Sequence, residues 1–313
     1  MQTVAVVMRE PKQIALERVD LIAPNADDVT VDIEWSGISS GTERLLWQGR
    51  MPHFPGMGYP LVPGYESVGR VTAVGPASTV AVGADVFIPG TNCFQNVKAL
   101  FGGSARRVVI NQSRIVPLHS LRGPEASLLA LAATAYHAAP PATGSRPDLI
   151  IGHGVVGRLL ARLAMLDGGP PPVVWETVAA RRDGAHDYPV VDPTDDTRRN
   201  YRCICDASGD ASQLDTLIQR LAPGGEIILA GFYSQPLSFN FPPAFMREAR
   251  LRVAAQFLPA DLIAVRDLAQ SGRLRLDGLV SHQAPVAACN AAYRTAFEDT
   301  GCLKMVLDWR QVA

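Results

Sequence analysis

The sequence predicts an α/β protein that combines a doubly wound parallel sheet with a mainly β domain. Three observations favour this class. The first hundred residues are short apolar or alternating runs broken by Gly and Pro, which is typical of irregular β structure. Beyond residue 147, strand-like and helix-like segments alternate, which indicates a parallel sheet. The length of 313 residues fits two domains at roughly 100–200 residues each.

The N-terminal part is predicted to contain several strands. The clearest ones are TVAVVM at 3–8, VTVDIEW at 29–35 and VGRVTAVG at 68–75. The pattern changes near residue 120. Pro124 and Glu125 suit the first turn of a helix, which we expect to continue through the alanine-rich stretch 128–139. The first part is therefore assigned to residues 1–120.

The second part, residues 121–275, has the order of elements expected for a doubly wound sheet. Predicted strands are 148–151, 172–177, 188–192, 202–206, 225–232 and 250–257, and predicted helices are 155–166 and 212–222. The last segment, residues 276–313, contains a strand-like run at each end and a helix at 285–299. It could complete the first domain by returning to it.

Composition excludes several functional classes. The net charge is -1, from 29 basic and 30 acidic residues, so nothing favours nonspecific binding of nucleic acid. The N-terminal segment lacks the apolar core of a signal peptide, and no apolar run approaches the roughly 18 residues of a membrane helix. We therefore expect no transmembrane segment and a cytoplasmic location. The five cysteines, odd in number and irregularly spaced, indicate neither a disulfide framework nor a cysteine-rich zinc site.

A glycine motif follows the first strand of the second part. Gly152, Gly154 and Gly157 match the G-x-G-x-x-G pattern of a Rossmann unit, in which a strand precedes the motif and a helix follows it. Gly152 permits the tight turn, Gly154 lets a pyrophosphate approach the backbone, and Gly157 lets the helix pack on the sheet. Val155 and Val156 would offer their N–H groups to the phosphates at the start of the helix.

An acid ends the next predicted strand. Glu176 lies where a carboxylate can accept both ribose hydroxyls of NAD and repel a 2′-phosphate. Arg181 and Arg182 follow closely and could instead favour NADP or face solvent. We predict NAD as the cofactor.

These motifs, with several others, resemble the medium-chain dehydrogenase/reductase superfamily over essentially the whole chain. The segments that carry the resemblance are 37–43 (GISSGTE), 60–71 (PLVPGYESVGRV), 134–137 (TAYH), the glycine motif, Gly224-Gly225 and 230–232 (AGF). The resemblance implies a Rossmann domain inserted into a GroES-like, mainly β catalytic domain. It implies that Thr134, Ser208 and Gly231 lie near the nicotinamide, and that a homodimer forms through the edge strand 250–257.

Two further segments, 41–47 and 50–60, resemble more narrowly the dehydrogenases that act on bacteriochlorophyllides. That resemblance implies oxidation of the macrocycle's 3-(1-hydroxyethyl) group to 3-acetyl in bacteriochlorophyll a synthesis, with NAD as hydride acceptor. Arg44, Arg50 or Lys98 could pair with a carboxylate on the pigment's rim. The predicted apolar contacts with this large flat substrate are Trp47, Met51, Phe54 and Met57. Alternatively, these residues pack the small β domain.

The chain departs from the zinc-dependent members of the superfamily. Those enzymes place a cysteine where this chain has Ser39 or Ser40, and a histidine where it has Tyr65. A serine hydroxyl and a phenol are poor zinc ligands compared with thiolate and imidazole. The cysteine-rich structural zinc lobe is also missing. We therefore predict no catalytic and no structural zinc. A weak site built from Glu66 with His53 or His137 is the alternative.

Without zinc, another group must assist the loss of the proton. Tyr65 is the first candidate because it replaces a metal ligand, and it could act as a base or as a hydrogen-bond partner of the reacting oxygen. His53 and His137 have more suitable intrinsic pKa values for a base, although His137 could be a satisfied core histidine. The remaining candidates for the catalytic set are Ser39, Thr42 and Glu66.

Two other functions remain open from the sequence. One is a zinc-free quinone or enone reductase that uses NADPH, which Glu176 disfavours because its carboxylate would repel a 2′-phosphate. The other is a non-catalytic dinucleotide-binding protein, which would bind the cofactor without turning over any alcohol, ketone or enone.

Overall fold

The computed structural model describes residues 1–52, 56–141, 146–184, 186–254 and 256–312. The chain divides into two compact units, one formed by Met1–Ala130 with Leu276–Ala313 and the other by Leu131–Arg275. The first boundary between the units, after Ala130, lies ten residues beyond the boundary that the sequence predicted at residue 120. It does so because the short 3₁₀ segment Pro124–Leu128 packs against two strands of the first unit.

The first unit is mainly β. Its strands are β1 (Gln2–Glu10), β2 (Gln13–Asp20), β3 (Asp28–Ile38), β4 (Leu61–Val62), β5 (Ser67–Val74), β6 (Asp85–Ile88), β7 (Lys98–Ala99), β8 (Arg107–Asn111), β9 (Val116–Pro117), β16 (His282–Pro285) and β17 (Met305–Asp308), and its helices are α1 (Thr42–Trp47) and α8 (Cys289–Glu298). One sheet has the order β2-β1-β4-β7 and a second has the order β16-β17-β3-β5-β6-β9, with β8 also paired to β3.

Apolar side chains of both sheets form the core of this unit. Val29, Val31 and Ile33 alternate along one face of β3 and are fully buried, as expected for a strand with one face on the core. The last segment of the chain completes the sheet, since β17 pairs antiparallel with β3 and sets Met305 opposite Ile38. This pairing brings Lys304, just before β17, beside the end of β3.

The second unit is a parallel α/β unit. Its strands are β10 (Leu149–Ile151), β11 (Val173–Trp175), β12 (Val190–Val191), β13 (Tyr201–Asp206), β14 (Leu221–Leu229) and β15 (Arg250–Val253). Its helices are α2 (Leu129–Ala138), whose first two residues belong to the first unit, α3 (Val155–Ala164), α4 (Ala179–Arg182), α5 (Leu214–Arg220), α6 (Phe241–Met246) and α7 (Pro259–Gln270). The strand order is β12-β11-β10-β13-β14-β15, and all five pairings are parallel.

This order confirms the predicted doubly wound class. The chain winds outward from β10 in one direction through β11 and β12, then in the other through β13 to β15. The order therefore reverses between β10 and β13, and open α/β sheets bind ligands beyond the carboxyl ends of their strands at such a point. Several bounds differ from expectation. The helix predicted at 212–222 ends at Arg220, since a strand begins at Leu221 and Pro223 lacks the N–H that a helix needs. The strand predicted at 250–257 ends at Val253.

Two further features bear on function. None of the helices in the described part of the chain combines the length and the apolar character needed to cross a bilayer. The five cysteines carry free, buried thiols.

Candidate active site

The glycine turn joins β10 to α3. Gly152 has a φ of 90°, a left-handed conformation that favours glycine. A Cβ on Gly157 would collide with the carbonyl oxygen of Gly152, so packing of helix against turn requires this glycine. A Cβ on Gly154 would meet no protein atom within 4 Å. Packing within the protein therefore does not require a glycine at position 154. A ligand that comes close to the backbone here would require one. This turn fits a dinucleotide pyrophosphate at the start of α3, where the amides of Val155 and Val156 lie.

Three strand ends meet around this turn. A Cβ on Gly152 would lie 3.5 Å from the backbone nitrogen of Ser208, which follows β13. A Cβ on Gly231, which follows β14, would lie 2.7 Å from the backbone nitrogen of Gly209. The Ser208 hydroxyl donates to Asp206 Oδ1 at 2.6 Å, so it also stabilises the local turn. The structure thus brings Gly152, Ser208 and Gly231 to one edge of the sheet.

Glu176 is fixed against the glycine turn. It directly follows β11 and is 7 % exposed. Its Oε2 accepts the His153 backbone N–H at 3.2 Å, and its Oε1 accepts the Val178 N–H at 2.8 Å. A carboxylate offers about four lone-pair sites, so each oxygen can still accept a ribose hydroxyl. The Nη1 of Arg182 donates to the Glu176 carbonyl oxygen at 2.8 Å and lies 2.9 Å from Asp192 Oδ2.

His153 is a buried residue of the turn that the sequence did not single out. Its Nδ1 lies 2.8 Å from the carbonyl oxygen of Arg181, and its Nε2 lies 3.0 Å from the Tyr188 hydroxyl. Burial lowers the pKa of His153 to about 4, so its ring is neutral near pH 7. The ring therefore connects the glycine turn to α4 and to the segment before β12.

The buried His153 predicts a loss of stability in acid. The folded-state pKa of about 4 lies below the unfolded value of 6.5, so the stabilisation is complete above pH 6.5 and is lost as the pH falls towards 4. The loss should reach about 3 kcal/mol. Urea unfolding at pH 7, 5.5 and 4.5 checks this, with His153→Gln as the control variant without a titrating ring. Parallel losses in the two proteins would assign the acid sensitivity to other groups.

Three hydroxyl groups lie together in the first unit. Ser39 and Thr42 come from the end of β3 and the start of α1, and Tyr65 comes from the turn before β5. The Ser39 Oγ and the Tyr65 hydroxyl are 2.7 Å apart, and the Thr42 backbone N–H donates to the Ser39 Oγ at 3.4 Å. The Tyr65 ring packs edge-on against Phe101, with ring centroids 4.9 Å apart. The structure therefore brings the phenol of Tyr65 together with the hydroxyl of Ser39.

The surroundings of Tyr65 keep its phenol protonated. Burial is the largest influence and raises the pKa well above the ordinary value of 10, and the nearby negative charge of Glu66 raises it further. The hydrogen bond with Ser39 opposes this only in part. Tyr65 is therefore suited to donate a hydrogen bond near neutral pH and poorly suited to act as a phenolate base.

Two buried carboxyl groups flank these hydroxyls. Glu66 is fully buried and forms an ion pair with Lys304, which is 3 % exposed. Glu43 is also fully buried; it accepts the Ser39 backbone N–H at 3.2 Å and the Tyr293 hydroxyl at 2.9 Å. Burial raises the pKa of Glu43 to about 7. Both partners, Lys304 and Tyr293, come from the last forty residues of the chain.

This set of donors does not fit a zinc ion. Ser39 and Tyr65, which stand where the zinc-dependent enzymes have a cysteine and a histidine, offer only hydroxyl groups. The neighbouring carboxylate of Glu66 is paired with the ammonium group of Lys304. Within the ranges that the structure describes, no three His, Cys, Asp or Glu side chains come close enough together to hold a metal ion.

His137 is in the second unit, where its Nδ1 lies 2.8 Å from Asp261 Oδ2. Asp261 also accepts the Leu258 N–H at 2.7 Å at the start of α7, so His137 is part of a helix-capping arrangement. His53 lies outside the described residues.

The predicted substrate segment packs mostly on the core. Trp47 is 7 % exposed, and its ring centroid is 5.5 Å from that of Phe297. Met51 and Met57 are partly exposed and rest against the same core, and Arg50 is exposed. Phe54 lies outside the described residues. The packing of Trp47 favours the alternative weighed for it, a core position.

Of the remaining cofactor candidates, Thr134 lies partly exposed on α2, and Arg181 lies in α4. Sequence reasoning missed Glu43, Lys304 and Tyr293. Glu43 could have been found from the sequence, because it directly follows the candidate Thr42 in the segment Gly41-Thr42-Glu43. Lys304 and Tyr293 carry no local signal.

The fold, the glycine turn and the hydroxyl cluster indicate the class of protein. A GroES-like unit interrupted by a Rossmann unit is the architecture of medium-chain dehydrogenases. Residues 25–120 match the alcohol dehydrogenase GroES-like domain. The solved structure of a Sinorhizobium meliloti protein bound to NADP matches this chain with a TM-score of 0.81 at 20 % identity. The match covers 98 % of this chain and 99 % of the other chain. An Escherichia coli alcohol dehydrogenase complexed with NADH has a TM-score of 0.83 at 18 % identity, with the same coverage.

Two relatives narrow the class. The 2-desacetyl-2-hydroxyethyl bacteriochlorophyllide A dehydrogenase of Rhodobacter capsulatus is 54 % identical over 311 residues, which is 99 % of each chain. The protein of the same name from Cereibacter sphaeroides is 51 % identical over the full length of both chains. The chain belongs to this family of dehydrogenases within the medium-chain dehydrogenase/reductase superfamily.

Proposed function

We propose that the protein oxidises the hydroxyethyl group of a bacteriochlorophyllide to an acetyl group, with NAD as the hydride acceptor and without zinc. The observation that carries the proposal is the full-length identity of 54 % to a dehydrogenase named for this substrate. The hydroxyethyl group is position 2 in the relatives' names and position 3 in the numbering used above.

The preference for NAD over NADP rests on Glu176. Its buried carboxylate is held at the glycine turn by two backbone N–H groups and keeps acceptor capacity for ribose hydroxyls. A 2′-phosphate at the same place would meet a negative charge. Arg182, which could have attracted that phosphate, is paired with Asp192. The neighbouring structures hold NADH in one case and NADP in another, so the preference is this chain's own.

The chemistry proposed for the hydroxyl cluster needs no metal. Bound NAD supplies the acceptor for the hydride of the carbinol carbon. Tyr65 receives the proton of the reacting hydroxyl while passing its own to Ser39 or Thr42, and the proton then leaves through these hydroxyls to water. If Tyr65 only hydrogen bonds to the reacting oxygen, the proton of that oxygen passes directly to water. The raised pKa of Tyr65 supports either role over that of a standing phenolate.

The substrate makes a zinc-free reaction chemically reasonable. Its carbinol carbon is attached to an extended π system, so positive charge that develops during hydride loss is delocalised into the macrocycle. The product ketone is conjugated with the same system. The protein then needs mainly to orient the C–H bond and to accept one proton, and orientation can contribute several kcal/mol. Met51 and Met57, with Arg50 at the rim, are the described residues that we propose for pigment contact.

We also propose a homodimer formed through β15. This strand is at the edge of the sheet, where an unpaired row of N–H and C=O groups can pair with another chain. Val253 on this strand is 77 % exposed, and Phe241, Phe245 and Met246 on α6 expose more than three-fifths of their surface. Light scattering at micromolar protein would measure the mass directly.

The reaction is tested with chelator-treated protein, NAD and 3-hydroxyethyl bacteriochlorophyllide a. NADH formation and pigment absorbance are followed together. We expect both signals to change at equal rates, with NADP supporting much slower turnover. If neither signal changes, even after zinc is restored and NADP is supplied, the proposal is wrong. Activity that appears only with added zinc would retain the substrate and overturn the metal-free chemistry.

A further inference from the structure

Lys304 is a buried cation that contacts both chain segments of the hydroxyl cluster. Its Nζ donates to the carbonyl oxygen of Ile38 at 2.9 Å and forms the ion pair with Glu66. Ile38 directly precedes Ser39, and Glu66 directly follows Tyr65. One ammonium group therefore holds the neighbours of the two residues whose hydroxyl oxygens lie 2.7 Å apart.

The local backbone leaves space for this pair. Gly37 donates its N–H to the carbonyl oxygen of Glu66 at 2.8 Å, which brings the end of β3 against the turn before β5. A Cβ on Gly37 would collide with Glu66 Oε2 and lie 2.9 Å from Lys304 Cε. A side chain at this position would displace the carboxylate or the ammonium group.

Stability alone is a weak reason for such a pair. Removing two charges from water is costly, and well-packed apolar residues of similar size often stabilise a fold equally well or better. The pair also lies beside hydroxyl groups that need a defined separation, and misplacement of a catalytic group by about 1 Å can cost a hundredfold in rate.

We infer that Lys304, through its ion pair with Glu66 and its hydrogen bond to Ile38, is a positioning residue that sets the Ser39–Tyr65 hydroxyl pair for catalysis. The catalytic part of this inference rests on the proposed function. Lys304 is 3 % exposed, so the inference assigns it no contact with substrate or cofactor.

The test replaces both charges at once. Lys304→Met alone would leave a buried carboxylate without its partner and could fail to fold. The double variant Lys304→Met/Glu66→Gln keeps the side-chain sizes and removes both charges. We expect it to fold, with kcat for pigment oxidation about tenfold to a hundredfold lower and KM for NAD and pigment little changed. The matched control is Arg9→Met/Glu17→Gln, which removes an ion pair of 2.6 Å at the surface of the same unit and should leave kcat unchanged.

A second readout needs no substrate. The protein contains seven tyrosines, so ring-labelled tyrosine gives a small set of carbon signals, and Tyr65→Phe assigns that of Tyr65. The Tyr65 signal should move in the double variant and also in Gly37→Ala, whose methyl group displaces the pair. A folded variant with an unmoved Tyr65 signal overturns the inference, as does one with wild-type kcat. If the wild-type protein fails to oxidise the pigment, the proposed function falls, and the Tyr65 signal still decides the positioning role.

Discussion

Replacing Tyr65 by phenylalanine is expected to lower kcat by about a hundredfold to a thousandfold, the usual cost of removing one hydrogen-bond donor from a reacting oxygen. The phenyl ring keeps its edge-on contact with Phe101, so the fold should be retained. Steady-state oxidation of the hydroxyethyl pigment with NAD gives kcat, and thermal unfolding verifies that the variant is folded.

The pH profile separates the two roles considered for Tyr65. Because burial raises its pKa, the wild-type profile should show no break from this residue between pH 6 and 9. A break near neutral pH that disappears in Tyr65→Phe would instead identify Tyr65 as a base with a lowered pKa. Ser39→Ala is the matched variant within the hydroxyl pair. We expect it to lower kcat less, by about tenfold, because Ser39 hydrogen bonds to Tyr65 and does not contact the reacting oxygen. Wild-type kcat in Tyr65→Phe would remove the residue from the mechanism.

Gly154→Val should weaken NAD binding by at least about a hundredfold, or roughly 3 kcal/mol. No protein atom lies within 4 Å of a Cβ at this position, so the valine side chain would occupy the space assigned to the pyrophosphate. The backbone has φ −74° and ψ −172°, which valine adopts readily. The variant should therefore fold normally. Titration calorimetry with NAD measures the affinity.

Gly157→Ala provides the contrast for this prediction. Its added methyl group would collide with the carbonyl oxygen of Gly152, so it should destabilise the unit by about 1–3 kcal/mol. The two glycines of one motif thus separate into a ligand effect and a packing effect. Unchanged NAD affinity in a folded Gly154→Val protein would show that the pyrophosphate does not approach this turn.

The parts of the fold that the sequence predicted depend on local patterns. The parallel sheet follows from alternating segments, each readable within about a dozen residues. The glycine turn was predictable for the same reason, since Gly152, Gly154 and Gly157 stand between a strand and a helix. Tyr65 and Ser39 could be placed in one cluster because the family resemblance aligned them with ligands of one metal.

The remaining features depend on distant pairings. Lys304 reaches Ile38 across 266 positions, and Tyr293 reaches Glu43 across 250. No periodicity or motif in one sequence indicates such contacts, because a chain can close a long loop in many ways at nearly equal entropic cost. Trp47 shows a different limit. Its neighbourhood is rich in apolar residues, and composition does not determine whether such a residue faces a core or a ligand.

The split of the first unit has a consequence for the newly made chain. Residues 131–275 form a contiguous unit, and domains generally fold as units while synthesis proceeds. The first unit is synthesised earlier but stays incomplete, because β3 lacks its neighbour β17 and the acids Glu43 and Glu66 lack Tyr293 and Lys304 until residues 276–313 emerge. The second unit is therefore expected to finish first, and the hydroxyl cluster to assemble only after residues 276–313 have left the ribosome.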